Sequence, residues 1–178
     1  MFANVSANTK DPREDGRVIC SQSAARVEVT MMLGLGHDVV DVGAFAEQLE
    51  MPGTRMTRLF SARECRQASL RASIKHDGEA LHLAAKWAAK ESVVKAWCEA
   101  LVGRGITERP YTVDDTPWSR IEIVDDATGC PRVVMAAEVH VELCRSLAVT
   151  ESAEPVWHVS ISHDGGIASA VAVLDMRE

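Results

Sequence analysis

The chain is expected to fold as an α+β domain, on three observations. Strand-like segments with period-two alternation lie near its beginning and end, helical segments cluster between them, and one long run of helix formers contains neither proline nor glycine. Its 178 residues suit one domain rather than two. A chain of this size buries roughly two thirds of the surface its unfolded form exposes, so it needs neither disulfide nor metal merely to stay folded. Residues 1 to 30 are polar, aperiodic and interrupted by Pro12 and Gly16. They are expected to form a flexible extension, leaving residues 31 to 178 as the domain. Met31 and Met32 stand at that change, and a translation start there is a hypothesis that N-terminal mass analysis of natively expressed protein tests.

Met32 to Val42 reads as a strand, and Gly34 and Gly36 within it imply that another backbone or a ligand comes close. A short helix over Gly43 to Glu50 is stopped by Pro52-Gly53. Ser61 with Glu64 three residues on is a capping box, which starts a second helix running to about Leu70, with 71 to 79 as loop. Leu81 to about Leu101 is the long helix, carrying Leu81, Ala84, Ala85, Ala88, Val93, Val94, Trp97 and Leu101 at helical spacing and ended by Gly103 and Gly105. Arg120 to Val124 and Arg132 to Met135 form a hairpin around Asp125 to Gly129, and Ala136 to about Leu147 is helical. A second hairpin joins Val156 to Ser162 and Ile167 to Leu174. There is no internal repeat.

Composition excludes several classes of function. With 26 acidic against 19 basic residues and a net charge of -7, the chain lacks the basic face that nucleic acid requires. No apolar run approaches the roughly 18 residues of a membrane span, and Lys10, Asp11, Arg13, Glu14 and Asp15 stand where a signal peptide is apolar. Five cysteines, odd in number and without a C-x-x-C pair, give no disulfide framework and no zinc site. A cytoplasmic protein is expected.

Glu91 and Lys95 stand four apart and share a face of the long helix, with Trp87 one turn before them. Read alone, this is the spacing of a surface ion pair worth about 0.3–0.5 kcal/mol. The surrounding Ala84, Ala85, Ala88 and Ala89, with Trp87 and Trp97, make an apolar setting for it. Asp38, at the end of the glycine-bearing strand, is either a turn acceptor or, with Glu91, half of a carboxylate pair for a hard cation such as magnesium. Spacing does not bring the two together. Ser160, Ser162, His163 and Asp164 form no catalytic triad, because consecutive strand residues face opposite sides. Gly165 and Gly166 beside His163 are either plain turn chemistry or a phosphate contact. His37, His76, His82, His140 and His158 share no ligand spacing and read as structural or surface residues. Between Pro52 and Lys75 the bases Arg55, Arg58, Arg63, Arg66, Arg71 and Lys75 face Glu64 as the lone acid. That segment is either a solvated face or a means of steering an acidic partner.

Four motifs in order, from about Leu33 to Leu174, resemble the holo-acyl-carrier-protein synthase family of 4'-phosphopantetheinyl transferases, its actinobacterial branch in particular. They are Gly36-His37-Asp38-Val39-Val40, Phe60-Ser61-Ala62-Arg63-Glu64, Trp87-Ala88-Ala89-Lys90-Glu91-Ser92-Val93-Val94-Lys95-Ala96, and Val159-Ser160-Ile161-Ser162-His163. The helix signature is the specific one.

The resemblance implies Mg²⁺-dependent transfer of the phosphopantetheine arm of coenzyme A to a serine of an apo acyl carrier protein, releasing adenosine 3',5'-bisphosphate, and with it a place in fatty acid biosynthesis. It implies the small transferase fold, assembled as a homotrimer with each site between subunits. By position, Asp38 and Glu91 match the magnesium ligands and Lys95 the lysine near the pyrophosphate. Lys86 stands where many relatives have arginine; it would hold the 3'-phosphate with His163, contributed by the adjacent subunit, and Ser162 would join the coenzyme A site. Glu91, directly or through a metal-bound water, would receive the serine proton. Arg55, Arg58 and Arg63 would dock the acidic carrier. Two departures stand out: Gly43 and Ala44 lie where many relatives place a carrier-contacting arginine, and Cys98 to Gly105 replaces a compact glycine turn. The competing readings are a non-catalytic coenzyme A or nucleotide-binding module and an unrelated Mg²⁺-dependent phosphohydrolase.

Overall fold

A computed structural model describes residues 30–177, so the expected N-terminal extension lies outside the described residues. Strand β1 (Thr30–Asp41) pairs antiparallel with β5 (Ile167–Arg177), which pairs in turn with β4 (Glu154–Asp164), giving a sheet ordered β1-β5-β4. Helix α1 (Val42–Glu50) follows β1 directly, capped by Asp41, whose Oδ1 accepts the Ala44 N–H at 2.9 Å. A 3-10 turn at Met56–Leu59 leads into α2 (Ala62–Lys75), and α3 (Glu79–Gly103) lies along the inner face of the sheet. A second 3-10 turn at Trp118–Arg120 opens the hairpin of β2 (Ile121–Asp125) and β3 (Pro131–Met135), and α4 (Ala137–Ser146) packs beside it. The architecture is α+β, as expected.

The contact between β1 and α3 is unusually close, and its cause is composition. Gly34 and Gly36 face Ser92, Ala96 and Ala100, residues one helical turn apart, so two nearly bare backbones meet. A Cβ on Gly36 would stand 1.9 Å from the Ser92 carbonyl oxygen, and one on Gly34 would stand 2.2 Å from that of Ala96. On β5, Ala168, Ala170 and Ala172 continue the small surface. Ser92 Oγ lies 2.8 Å from both the Ala88 and Ala170 carbonyls, which joins helix to sheet. Further along, Trp97, Leu101, Ile121, Ile123, Val139, Leu143 and Leu174 fill the main core. Phe45, Phe60, Leu83 and Ala84 form a second cluster under α1 and α2.

The capping box forms as expected: Glu64 N–H donates to Ser61 Oγ at 3.2 Å and Ser61 N–H to Glu64 Oε2 at 2.8 Å. Glu64 does more than cap, because it is fully buried and its Oε2 lies 2.9 Å from Lys90 Nζ. Lys90 also donates to the Trp118 and Ile121 carbonyls at 2.7 and 2.5 Å, while Glu64 Oε1 accepts the Ile123 N–H at 2.9 Å. Every charged atom of this pair is satisfied, the condition under which a buried ion pair is tolerated. Removing either partner alone leaves an uncompensated buried charge, at a cost of about 3–5 kcal/mol.

The strands of the second hairpin run two or three residues beyond their expected ends, and the largest difference lies at the end of α2. Residues 71 to 75 are the last turn of α2 rather than loop, and the helix ends where His76 turns left-handed at φ 58°. The pattern obscured this because Leu70 and Ile74 point into solvent instead of continuing an inward stripe. The β4–β5 turn closes through Gly165 and Gly166, both at positive φ, as a two-residue hairpin of this hand requires.

Gly36→Ala forces the strand and helix apart and is expected to destabilise the fold by about 1–3 kcal/mol in denaturant unfolding. A variant as stable as the parent contradicts the close-contact account.

Candidate active site

Asp38 is the third residue in the inward series Gly34, Gly36, Asp38, so the pleat that presents the glycines to α3 presents this carboxylate as well. It is 8% exposed. Lys95, one turn beyond Ser92, donates from Nζ to Asp38 Oδ1 at 2.6 Å and to the His37 carbonyl at 3.3 Å. Glu91 lies one turn before Lys95. Burial pushes the Glu91 carboxyl up first, followed by the Asp38 charge and a hydrogen bond to Asp38 that only protonated Glu91 can donate; Lys95 pulls it down. The structure therefore brings Asp38, Glu91 and Lys95 together.

With Glu91 ionised, Asp38 Oδ2 is buried without a hydrogen-bond partner. Two adjacent carboxylates, one with an orphaned oxygen, suit a hard divalent cation, and magnesium typically takes only one or two protein carboxylates. Among the described residues no group of three or more His, Cys, Asp or Glu could hold a metal ion. Glu91 and Lys95 open onto a cavity of about 290 Å³, walled by Val94, Cys98, Tyr111 and Trp118 among others. Lys90 fixes part of this wall through the Trp118 carbonyl, and Trp87 packs on the Trp118 ring at 4.8 Å.

Lys86 and His163 meet elsewhere. Both line a cleft of about 160 Å³ with Arg71, Lys75, His82 and Asp125. Nine residues of helix place Lys86 about 180° around α3 from Lys95, so the basic cleft and the carboxylate pair face opposite ways within one chain. Lys86 is buried, donates to the Ile123 carbonyl at 2.8 Å and to Gln67 Oε1 at 3.3 Å, and has its pKa lowered chiefly by burial, against Asp125 and Glu64. The fold thus already uses two of its three donors. Ser162 does not join His163: it is exposed on the other face of β4, as strand alternation dictates. Arg55, Arg58 and Arg63 are exposed on and before the start of α2, with Arg63 Nη1 3.7 Å from Glu122.

His82, read from the sequence as a structural or surface residue, sits 2.7 Å from Asp77 Oδ1 and edge-on to the His163 ring at 6.1 Å, lining the basic cleft. Its spacing of four from Lys86 was the available signal. Tyr111 and Trp118 come from a connection without periodicity, so nothing in the sequence marked them as cavity walls.

A basic cleft and a carboxylate pair with a lysine are the kinds of group that phosphate esters and a divalent cation require. Residues 34–162 match the 4'-phosphopantetheinyl transferase superfamily. The chain is 52% identical over 154 residues to a holo-[acyl-carrier-protein] synthase of Bifidobacterium adolescentis, covering 82% of this chain and 100% of that protein. It is 39% identical over 144 residues to one from Mycobacterium ulcerans, covering 81% and 97%. Among solved structures, the ACPS–CoA complex of Chronobacterium ammoniagenes matches with a TM-score of 0.67 at 32% identity, over 85% of this chain and 100% of that one. The acyl carrier protein synthase of Mycobacterium tuberculosis matches at 0.56 with 34% identity, over 81% and 97%. The chain belongs to the 4'-phosphopantetheinyl transferase superfamily.

Magnesium at a hundredfold excess over its dissociation constant is expected to stabilise the parent by about 2.7 kcal/mol in thermal unfolding and to leave Asp38→Asn unaffected. A parent whose unfolding ignores the cation contradicts the assignment.

Proposed function

We propose that the chain transfers the 4'-phosphopantetheine arm of coenzyme A to a serine of an apo acyl carrier protein, giving holo carrier and adenosine 3',5'-bisphosphate. The observation that supports this most is the meeting of Asp38, Glu91 and Lys95, the last two of which line one cavity. In the reaction a bond forms between the serine oxygen and the β-phosphorus, the bond from that phosphorus to the bridging oxygen breaks, and the serine proton goes to the Glu91 carboxylate. Lys95 places its ammonium against the charge that develops on the departing bisphosphate. Asp38 and Glu91 would hold magnesium, which when bound neutralises phosphate charge.

Lys86 and His163, with Arg71, Lys75 and His82, supply cationic groups for the 3'-phosphate. Because that cleft faces away from Glu91 and Lys95, one coenzyme A reaches both only when two copies of the chain contribute. This supports sites between subunits, an arrangement that a homotrimer provides. The outer sheet face offers a surface for it, with exposed Leu35, Val39, Ile167 and Val171, and carries Ser162. Arg55, Arg58 and Arg63 begin the carrier contact. Cys65, Cys98, Cys130 and Cys144 are free thiols, and among the described residues no helix is long and apolar enough to cross a membrane; both agree with a cytoplasmic enzyme.

Incubation with coenzyme A, Mg²⁺ and an apo carrier protein is expected to add about 340 Da to the carrier in intact-mass analysis. Glu91→Gln or chelation of the metal should nearly abolish the gain while circular dichroism stays native. Coenzyme A binding without a mass gain indicates a binding module, and phosphate release without a carrier indicates a hydrolase; either outcome refutes the transferase.

A further inference from the structure

The outer edge of β2 is paired by side chains where a larger sheet would supply another strand. Glu64 accepts the Ile123 N–H, Lys86 donates to the Ile123 carbonyl, and Lys90 donates to that of Ile121. Half-buried Gln67 completes the row at Asp125, accepting its N–H on Oε1 at 2.9 Å and donating from Nε2 to its carbonyl at 3.0 Å. That pairing settles the orientation of the amide, because a flipped group would set donor against donor and acceptor against acceptor. One turn further along α2, Arg71 donates from Nε to the Asp125 carboxylate at 3.1 Å and from Nη2 to the Gly129 carbonyl at 3.3 Å. Helix α2 therefore grips the β2–β3 turn, whose Gly129 and Pro131 line the basic cleft. Gln67 Oε1 also has a second donor. Lys86 Nζ reaches it at 3.3 Å while holding the Ile123 carbonyl at 2.8 Å. An ammonium at the end of a flexible stem gives its three N–H groups no direction of their own, unlike a planar guanidinium. Two anchors remove that rotation and leave one N–H, and Lys86 lines the cleft together with Arg71, Lys75, His82 and His163.

Resting on the proposed transfer, we infer that Gln67 is a positioning residue for the 3'-phosphate of coenzyme A, acting through Lys86. Gln67 is not itself a wall of the cleft. Its amide oxygen and the Ile123 carbonyl hold the ammonium, so that the remaining N–H is presented to phosphate oxygens entering the cleft. The same amide joins Lys86 to Asp125 and so to the turn on which Gly129 and Pro131 stand. Hydrogen bonds from behind a binding group are what hold it to a productive geometry. Loss of the amide leaves the charge of Lys86 in place and removes its direction. What declines is the discrimination between coenzyme A and its 3'-dephospho form, and the chemical step at Glu91 and Lys95 is spared.

The test is steady-state transfer to an apo carrier protein with Mg²⁺, using coenzyme A and 3'-dephospho-coenzyme A as alternative donors. The parent is expected to prefer coenzyme A in kcat/KM. Gln67→Met, close in size but without the amide, is expected to raise the KM for coenzyme A about tenfold, while kcat and the constants for the dephospho donor stay within about twofold. Lys86→Met narrows the preference at least as far, and adding Gln67→Met to it narrows it no further, as befits one residue acting through another. Both donors are read on one preparation, so their ratio does not depend on the fraction folded. Gln67→Asn, whose amide is withdrawn by one methylene, serves in the same way should Gln67→Met not fold. An unchanged preference in an active Gln67 variant overturns this inference alone, as does an equal loss with both donors, which marks a merely structural residue. A further loss on top of Lys86→Met overturns it too. A parent indifferent to the 3'-phosphate overturns the role of the cleft and this inference with it. A parent that transfers from neither donor overturns the proposed function itself.

Discussion

The near-contact of two backbones, β1 against α3, is the constraint on which the rest of the molecule depends. Gly34 and Gly36 admit the helix to a distance that any side chain on the strand would forbid, and α3 answers with Ser92 and Ala96 at the points of closest approach. The consequence lies two residues further along the strand and one turn further along the helix. Asp38 comes within 2.6 Å of Lys95 and beside Glu91 because the elements carrying them cannot separate without losing that packing. The chemistry is thus set by an absence of side chains at neighbouring positions. Rigid elements of this kind hold a site more precisely than loops do.

α3 carries a second burden, since it is buried around most of its circumference and yet bears Lys86 and Lys90 inside the protein. Both reach backbone carbonyls of the β2 region, Lys86 that of Ile123 and Lys90 those of Trp118 and Ile121. Lys90 adds the carboxylate of Glu64, itself committed to the capping box of α2. One network therefore ties the start of α2, the middle of α3 and the entry to β2. Trp118, held by that network, is also a wall of the cavity at Glu91. Stability and site geometry share the same hydrogen bonds, so a defect at Glu64 would be felt at a cavity to which it contributes no atom.

Much of this was legible in the sequence, for identifiable reasons. Glycines inside a strand implied a close neighbour, and the neighbour proved to be helix backbone. Ser61 and Glu64 announced a helix start, and Gly165-Gly166 a tight turn. The four ordered motifs pointed to the family that the comparisons then showed. What was not legible is equally specific. Glu64 reads as a cap, and no local pattern indicates that its carboxylate also receives a lysine from 26 positions away. The end of α2 was hidden by exposed Leu70 and Ile74. Strand alternation parted Ser162 from His163, although motif order set them side by side. Nine residues of helix turned Lys86 away from Lys95, a relation that follows from helical pitch.

The central claim is that this close packing aims Asp38 and Glu91 of one chain at a single divalent ion. Anomalous diffraction from crystals grown with Mn²⁺, a cation suited to the same oxygen donors, tests it directly. The account predicts one ion coordinated by a carboxylate oxygen from Asp38 and one from Glu91 of the same chain. An ion bound by only one of them, or held by carboxylates that β1 and α3 do not bring together, contradicts it.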